Sequence, residues 1–307
     1  MAILDGRAVA HTLQERLREQ IAKLKAHGVT PTIAPIIVGD NSGAKVYYRT
    51  KEKLAGKLGI RYAGLKLPAN TSQVALIDEI HRLNDDPEIH GLSVELPLPQ
   101  EISLTAISRA IAPQKDIDCI NPLNMGRLVV EGAGVASYAM LKRLSDLLLP
   151  ATPQAVMELL LDFGVELAGR DVTVIGRSLA VGRPLSLLLL IEGATVTVCH
   201  SRTRHLAKIT ERAEVICVAV GHPQFLTSEM VTDGVVVIDI GTNVIQGGIT
   251  GDVDYENVAK KARLITPVPG GVGPMTTTLI MANTVKAARN LSREHGRGDT
   301  KTRGHGD

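Results

Sequence analysis

A glycine-bearing loop between two short runs of β-branched residues has the composition of a nucleotide phosphate site. The run Asp171–Ile175 stops at Gly176, and the loop 176–184 then leads into an apolar helix. Glycine permits tight turns and close approaches, and a proline such as Pro184 suits the first turn of a helix. N–H groups and the positive end of the helix dipole converge there. A second strand, 194–198, completes a βαβ unit, so we predict a dinucleotide site.

The residues after the second strand indicate which dinucleotide binds. The glycines do not follow the strict G-x-G-x-x-G spacing, so a βαβ unit that binds no nucleotide is the alternative. An NAD site usually carries Asp or Glu after this strand to bind the ribose 2′-hydroxyl. The chain has no carboxylate in the segment 199–203. With Arg177 in the first loop and Ser201 and Arg202 in the second, we predict a 2′-phosphate site and therefore NADP.

A tyrosine and a lysine with helical spacing form a second candidate site. Tyr47 and Lys51 lie four residues apart in a predicted helix from Ala44 to Leu58, so they share one face. The alternative is a solvated, charged helix face. Glu95 lies in an apolar run that ends in prolines, where the chain leaves a sheet edge. A glutamate in such a run needs a partner, and Lys51 is the candidate.

Two further segments have unusual chemistry. The irregular loop 113–122 carries Asp116 and Asp118, either of which can form a turn or bind a donor-rich heterocycle. No second acid or histidine stands beside Asp118 at a metal-ligand spacing, so we expect no metal. The run 267–276 concentrates proline and glycine, which predicts a fixed, irregular backbone at a strand end.

Composition excludes several classes of protein. The 307 residues are 44% hydrophobic and 21% charged, which suits two globular domains. A net charge of +2 and 2% aromatic residues argue against nucleic acid as a partner. Three widely spaced cysteines indicate small core residues. We expect no signal peptide and no membrane span, and hence the cytoplasm.

Hydrophobic periodicity predicts an α/β fold. An amphipathic helix from Ala8 to His27 precedes a buried strand, and further buried strands end at glycines, as in parallel sheets. The expected strands are 31–38, 60–65, 215–220 and 235–240. The expected helices are 74–83, 102–111, 139–149 and 152–163, and a final helix begins at Thr276. In the helix 152–163, Thr152 would be the N-cap and Pro153 the first helical residue. The Gly/Ala stretch 132–136 is predicted to connect two domains.

Segments along nearly the whole chain match one known family. They are Tyr47-x-x-x-Lys51, Val94–Pro99, Lys115-Asp-Ile-Asp118, Asn124-x-Gly-Arg127, Gly176-Arg-Ser with Val181-Gly182-x-Pro184, His200-Ser201-x-Thr203, Gly251-Asp252-Val253 and Pro267–Thr276. Together they resemble the bifunctional methylenetetrahydrofolate dehydrogenase/methenyltetrahydrofolate cyclohydrolase family, known as FolD.

The resemblance implies an activity and an architecture. The enzyme would oxidise 5,10-methylenetetrahydrofolate with NADP and hydrolyse the methenyl product to 10-formyltetrahydrofolate, in one-carbon metabolism and purine biosynthesis. It would be a homodimer, with an N-terminal α/β catalytic domain, a Rossmann-type doubly wound NADP domain and the substrate in the cleft between them. The expected boundaries are 1–143 plus 277–292 for the catalytic domain and 144–276 for the NADP domain. The polar segment 293–307 is expected to be a disordered tail.

The resemblance also implies roles for residues. Lys51 would be the catalytic lysine, Tyr47 would orient the folate, and Asp118 would hold the pterin donors. Glu95 completes the expected catalytic set. The substrate would also contact Pro97, Gly270, Gly271 and Pro274. The expected cofactor-binding residues are Gly176, Arg177, Ser178, Gly182, Ser201, Arg202, Gly221 and Thr242.

The chain departs from the family pattern at three places. Glu95 replaces the usual glutamine, Cys119 stands where glycine is usual, and the connection 128–152 is longer and has Ala151 in place of cysteine. An ionised Glu95 favours the ammonium form of Lys51. We therefore expect dehydrogenase activity with weak hydrolysis. The alternatives are a dehydrogenase without hydrolase activity and a non-catalytic homologue that binds NADP or folate.

Overall fold

The computed structural model describes residues 2–144, 146–246 and 248–301. Strands and helices alternate along most of this chain. The strands are β1 (Ala2–Ile3), β2 (Thr32–Val38), β3 (Arg61–Tyr62), β4 (Leu65–Leu67), β5 (Gly91–Val94), β6 (Asp171–Ile175), β7 (Thr195–Cys199), β8 (Val215–Val218), β9 (Val236–Asp239), β10 (Asn243–Ile245), β11 (Gly248–Thr250) and β12 (Leu264–Ile265). The helices are α1 (Gly6–Ala26), α2 (Ser42–Leu58), α3 (Gln73–Asp85), α4 (Leu104–Ala110), α5 (Pro122–Ala133), α6 (Tyr138–Lys142), α7 (Ala151–Asp162), α8 (Gly182–Ile191), α9 (Leu206–Thr210), α10 (Tyr255–Val258) and α11 (Val272–Lys301).

The chain divides into two compact units, which we name after their sheets. The four-stranded unit comprises Gln14–Asn124, Leu144–Leu149 and Ile280–Asp307. The six-stranded unit comprises Met1–Leu13, Met125–Arg143 and Pro150–Leu279. Each unit has a mainly parallel sheet with helices, which confirms the α/β fold class.

The sheet of the four-stranded unit is built around β2. Every residue of β2 is buried, as expected for a parallel strand covered on both faces. The start of β2 pairs with β3 and its end with β4, while β5 pairs with Ile33–Ile36. The predicted strand 60–65 is therefore two short strands. Gly64 separates them, and a Cβ there would lie 2.2 Å from the Tyr48 hydroxyl.

The sheet of the six-stranded unit is a parallel, doubly wound sheet in the order β1-β12-β9-β8-β6-β7. From β6 the chain passes to β7 on one side and then to β8 on the other. This reversal creates the switch point at which open α/β sheets bind ligands. Hydrophobic residues from the strands and from α10 form a buried core on one face, including Ile216, Val237 and Val258.

The structure departs from one predicted connection and from one predicted helix start. Helix α5 extends to Ala133 and includes the first two residues of the stretch 132–136, and the whole stretch lies within the six-stranded unit instead of connecting two domains. A Cβ on Gly132 would lie 2.5 Å from Ile191 Cδ1. The glycine therefore permits close packing of α5 against α8 within the six-stranded unit. Helix α7 begins at Ala151 after Pro150, so Thr152 is not its N-cap. Pro153 is tolerated because first-turn N–H groups have no intrahelical acceptor.

Other boundaries differ more modestly. Helix α6 ends at Lys142, short of the predicted end at residue 149, and α11 begins at Val272, before Thr276. The hairpin of β10 and β11 has no counterpart among the predictions. None of the helices among the described residues combines the length and apolar character that a bilayer crossing requires.

The predicted domain boundaries differ from the two units at their ends. Strand β1, which the prediction placed with the catalytic domain, pairs with β12 of the six-stranded unit. A strand of two residues carries no periodicity, so the sequence gives no sign of it. The predicted tail begins at residue 293, whereas α11 continues to Lys301, and residues 302–307 lie outside the described residues. The boundaries remain a prediction.

Candidate functional site

The four-stranded unit buries a lysine next to a glutamate. Helix α2 starts at an N-cap, Asn41, whose side chain accepts a hydrogen bond from Ala44 N at 3.0 Å. It carries Lys51 into the interior, where the residue is 4% exposed. Lys51 Nζ donates to Glu95 Oε1 at 2.7 Å and to Ser93 Oγ at 3.4 Å. The predicted contact between Lys51 and Glu95 is confirmed.

The charges around Lys51 favour its protonated form. Burial alone would lower the pKa of Lys51, but the attraction of Glu95 and Asp118 outweighs burial, so the pKa lies above its ordinary value. Burial raises the pKa of Asp118, and Lys51 opposes that rise. One amine thus faces two carboxylates in a poorly solvated place, where small changes of charge move its proton affinity strongly.

The two aspartates of the loop after α4 have different environments. Asp116 is fully buried and accepts hydrogen bonds from Ile120 N at 3.2 Å, Asn121 N at 2.7 Å and Asn124 Nδ2 at 2.9 Å. Asp116 is therefore the turn former. Asp118 is half-buried, and within the described chain no hydrogen bond reaches its carboxylate. Its acceptor oxygens remain available to a ligand.

Lys115 anchors this loop and was missed by sequence reasoning. Its Nζ donates to the carbonyl oxygens of Leu83, Asn84 and Asp86 at 3.2, 2.6 and 2.6 Å. These carbonyls end helix α3, where a cation also complements the helix dipole. The position of Lys115 in the Lys-Asp-Ile-Asp segment was the only sign that it has a role. The carbonyl acceptors of Lys115 could not be identified from the sequence, because they lie about 30 residues earlier in the chain.

The two adjacent tyrosines of α2 differ in role. Tyr48 is buried and stacks edge-on against Tyr62 with ring centroids 5.4 Å apart, so it belongs to the core. Tyr47 is half-buried and lies close enough to Lys51 to influence its charge. Pro97 is exposed and follows a cis peptide bond after Leu96. The four-stranded unit thus brings Lys51, Glu95 and Asp118 together with Tyr47.

The glycine loop of the six-stranded unit is tightly packed. Gly176 follows β6 with a φ of 123°, and a Cβ there would lie 2.3 Å from Ala219 O. A Cβ on Gly182 would lie 2.0 Å from Gly176 O. Ser178 Oγ accepts hydrogen bonds from the N–H groups of Val181 and Gly182 at 3.2 and 3.4 Å. These contacts shape the turn that leads into α8 at the switch point.

The predicted 2′-phosphate residues are exposed at the carboxyl ends of β6 and β7. Arg177 follows β6, while Ser201 and Arg202 lie in the turn after β7. That turn is closed by hydrogen bonds from His200 N to Thr203 Oγ1 at 2.9 Å and from Thr203 N to His200 O at 2.8 Å. Neither arginine forms a salt bridge with a described residue. Both cations are available to a phosphate, so the residues present fit NADP.

The other predicted cofactor residues lie at the ends of β8 and β9. Gly221 follows β8 with a φ of 67°, and its N–H donates to Asp252 Oδ2 at 2.8 Å. Thr242 is half-buried after β9. The sequence marked Asp252 only as part of a motif and gave it no role.

The glycines expected near the substrate have local packing reasons. Gly270 has a φ of 118°, and its carbonyl accepts a hydrogen bond from Gly6 N at 3.0 Å. A Cβ on Gly271 would lie 2.7 Å from Pro267 O. Pro274 is half-buried in the first turn of α11. Contact of these residues with a substrate remains a prediction.

The described residues contain no group of three His, Cys, Asp or Glu side chains that could hold a metal ion.

Comparisons with known proteins agree with both halves of this description. Residues 4–118 match the family model of the catalytic domain of tetrahydrofolate dehydrogenase/cyclohydrolase. Residues 150–292 match the model of the NAD(P)-binding domain of the same family. The bifunctional protein FolD of Halalkalibacterium halodurans is 45% identical over 287 residues, which cover 94% of this chain and 98% of the relative.

Solved structures show the same likeness. The bifunctional FolD of Campylobacter jejuni has a TM-score of 0.85 at 42% identity and covers 94% of this chain and 99% of its own. The methylenetetrahydrofolate dehydrogenase-cyclohydrolase of Trypanosoma brucei, solved with NADP and an inhibitor, has a TM-score of 0.87 at 38% identity, covering 95% and 98%. By sequence and by structure, this chain belongs to the tetrahydrofolate dehydrogenase/cyclohydrolase family.

Proposed function

We propose that the chain catalyses the NADP-dependent oxidation of 5,10-methylenetetrahydrofolate and the hydrolysis of the resulting 5,10-methenyltetrahydrofolate to 10-formyltetrahydrofolate. The observation that carries this proposal is the buried amine of Lys51, which donates to Glu95 and whose pKa is raised by the charges of Glu95 and Asp118, in a domain of this family. The relatives are named as bifunctional enzymes, so a dehydrogenase without hydrolase activity and a non-catalytic homologue are not favoured.

NADP, when bound, accepts the hydride that leaves the methylene carbon. The remaining chemistry is a matter of protons and orientation. Water adds to the methenyl carbon and releases one proton, which gives a hydroxyl on that carbon. The bond from the carbon to N5 then breaks, the hydroxyl gives up its proton as the formyl C=O forms, and N5 gains a proton. Lys51 is the group that can exchange these protons, because its Nζ is buried and next to a carboxylate that changes its proton affinity. Tyr47, on the same helix, is proposed to orient the folate.

Asp118 is proposed to bind the pterin ring of the folate. The ring presents amino and amide donors in one plane, and a carboxylate can accept two of them. Asp116, in contrast, is already bonded to the donors of its own loop. Asp116 and Lys115 therefore hold the loop while Asp118 remains available to the substrate.

The choice of NADP over NAD follows from the ends of β6 and β7. The exposed side chains of Arg177, Ser201 and Arg202 offer two cations and a hydroxyl to a phosphate. The segment 199–203 contains no Asp or Glu, whose carboxylate would bind a free 2′-hydroxyl and repel a 2′-phosphate.

The proposal includes a homodimer in the cytoplasm that supplies purine biosynthesis with 10-formyl groups. Strand β7 is an edge strand whose residues are mostly exposed, including Val198 at 39%. An exposed parallel edge is a surface that a second copy can cover.

The cysteines at 119, 199 and 217 are buried thiols, which suits a reducing compartment such as the cytoplasm.

An absorbance assay of methenyltetrahydrofolate tests both activities. With methylenetetrahydrofolate and NADP, the purified chain should accumulate the methenyl product, and omission of NADP should abolish its formation. With methenyltetrahydrofolate alone, the enzyme should accelerate decay beyond the spontaneous rate. The absence of NADP-dependent formation would refute the dehydrogenase, and decay at the spontaneous rate would refute the hydrolase.

A further inference from the structure

Two buried carboxylates of the six-stranded unit lie outside the residues considered so far as cofactor ligands. Asp239 ends β9 and is 3% exposed, and Asp252 follows β11 and is fully buried. An ionised carboxylate is costly to bury unless donors surround it. The identity of those donors therefore indicates what each carboxylate does.

Asp252 binds one loop and one strand through both of its oxygens. Its Oδ2 accepts hydrogen bonds from Val220 N at 2.7 Å and Gly221 N at 2.8 Å. Its Oδ1 accepts from His222 N at 2.9 Å and from Asn243 Nδ2 at 2.8 Å. Three successive N–H groups after β8 thus point toward one carboxylate, and the start of β10 is tied to the same group.

Asp239 fixes the segment that carries Asp252. Its Oδ1 accepts from Gly241 N at 3.0 Å and Asp252 N at 2.9 Å, and its Oδ2 accepts from Val253 N at 3.0 Å. Burial raises the pKa of Asp239 to about 6, so the group is mainly ionised at neutral pH and acts as an acceptor.

Two glycines allow the carboxylates to approach the backbone. A Cβ on Gly251 would lie 1.8 Å from Asp239 Oδ2, and a Cβ on Gly241 would lie 2.1 Å from Asp252 Cγ. These contacts explain the glycine of the Gly251-Asp252-Val253 segment. We call the group formed by Asp239, Gly241, Gly251 and Asp252 the clamp, because its hydrogen bonds and close contacts fix the backbone conformation at the ends of β8 and β9.

The sheet order determines which part of a dinucleotide meets this clamp. The switch point lies between β6 and β8, and a dinucleotide crosses it. The proposed 2′-phosphate residues lie after β6 and β7, so the adenosine half occupies that side. The ends of β8 and β9 are on the other side, where the nicotinamide half must extend.

The clamp also decides what the loop after β8 can bind. The N–H groups of Val220, Gly221 and His222 are bonded to Asp252, so the polar backbone groups that the loop leaves for a ligand are carbonyl oxygens. The Val220 side chain is 36% exposed. Carbonyls accept hydrogen bonds from ribose hydroxyls and from a carboxamide. The negative charge beneath them disfavours a phosphate.

We infer that Asp252, supported by Asp239, is a positioning residue that shapes the ends of β8 and β9 to receive the uncharged nicotinamide riboside half of the cofactor. This inference rests on the proposed binding of NADP across the switch point. It assigns no contact between Asp252 and the cofactor, since the carboxylate acts through the backbone that it holds.

The test compares the affinity of Asp252→Asn for NADP and for adenosine 2′,5′-bisphosphate, which represents the other half of the cofactor. The substitution turns one acceptor oxygen into an NH₂ group that faces N–H donors. We expect the dissociation constant for NADP to rise roughly tenfold or more, while that for the bisphosphate stays within about twofold. Isothermal titration calorimetry on the full chain measures both.

Matched variants separate positioning from loss of fold. Asp233→Asn changes an exposed aspartate in the turn before β9 and should bind both ligands like the wild type. The double variant Asp252→Asn/Asn243→Asp restores the contact between these two side chains with donor and acceptor exchanged, and should recover part of the NADP affinity. If Asp252→Asn does not fold, Asn243→Ala, which removes one donor of the clamp, should still weaken NADP binding alone.

The outcomes distinguish the inference from the proposed function. Equal NADP affinity in the wild type and in folded Asp252→Asn would overturn the inference and leave the proposed function intact, as would equal loss for both ligands. A wild-type protein that does not bind NADP would overturn the proposed cofactor itself. An Asn243→Ala variant with unchanged NADP affinity, if Asp252→Asn is unfolded, would also overturn the inference.

Discussion

Asp239 and Asp252 of the six-stranded unit differ from Glu95 and Asp118 of the four-stranded unit in the donors around their carboxylates. In the six-stranded unit, Asp239 and Asp252 accept hydrogen bonds from backbone N–H groups, so both carboxylates are satisfied and fix the loops that donate to them. In the four-stranded unit, Glu95 faces a titratable amine and Asp118 has no hydrogen bond from the described residues. A satisfied carboxylate stabilises one conformation, whereas an unsatisfied one can bind a ligand or change a neighbour's proton affinity.

Asp116 shows that the distinction also holds within one loop. It lies two residues before Asp118, yet its oxygens accept from Ile120, Asn121 and Asn124. Residue type and position are nearly the same for the two aspartates. Their donors differ, and the donors decide which aspartate is structural.

The largest effect should come from removing the amine. Lys51→Met should lower the rate of methenyltetrahydrofolate hydrolysis by about 10²–10⁴-fold, because the group that exchanges protons is lost. The measurement is the initial rate corrected for spontaneous decay. Lys53→Met, on the exposed side of the same helix, should retain the wild-type rate. A Lys51→Met rate within tenfold of wild type would exclude Lys51 as the proton-exchanging group.

The next effect separates the two aspartates of one loop. Asp118→Asn should raise the Michaelis constant for methylenetetrahydrofolate by about tenfold to a hundredfold, since a charged hydrogen bond in a poorly solvated site is lost. Binding of NADP should persist. Asp116→Asn should instead appear chiefly as a lower melting temperature, measured by differential scanning fluorimetry. Equal behaviour of the two variants would remove the contrast between them.

A smaller effect is expected at the cofactor phosphate. Arg177→Ala should raise the Michaelis constant for NADP by roughly tenfold and leave that for NAD nearly unchanged, because only NADP carries the 2′-phosphate. Steady-state kinetics with each cofactor give the ratio. Arg212→Ala, an exposed arginine before β8, serves as the control. Equal effects of Arg177→Ala on both cofactors would contradict the phosphate assignment.

The sequence predicted those features that depend on side-chain type and regular periodicity. The contact between Glu95 and Lys51 followed because a charge in an apolar strand needs a partner. The strands β6 to β9 followed from their β-branched runs. The roles of Asp116 and Asp118 stayed open, because turn geometry decides them. Three donors of Asp252 lie in a loop 30 to 32 residues earlier in the chain, so no local pattern reveals them.

The pH dependence of hydrolysis in Glu95→Gln tests most directly whether Glu95 sets the proton affinity of Lys51. Ionised Glu95 holds Lys51 in its ammonium form, so the rate should rise with pH as the neutral amine appears. With a neutral amide at position 95, that attraction is lost and burial lowers the pKa of Lys51. The rising limb of the rate profile should therefore move downward by about one pH unit or more, while Glu88→Gln, at an exposed site, leaves it in place. Superimposable profiles for wild type and Glu95→Gln would contradict the claim that Glu95 sets the proton affinity of Lys51.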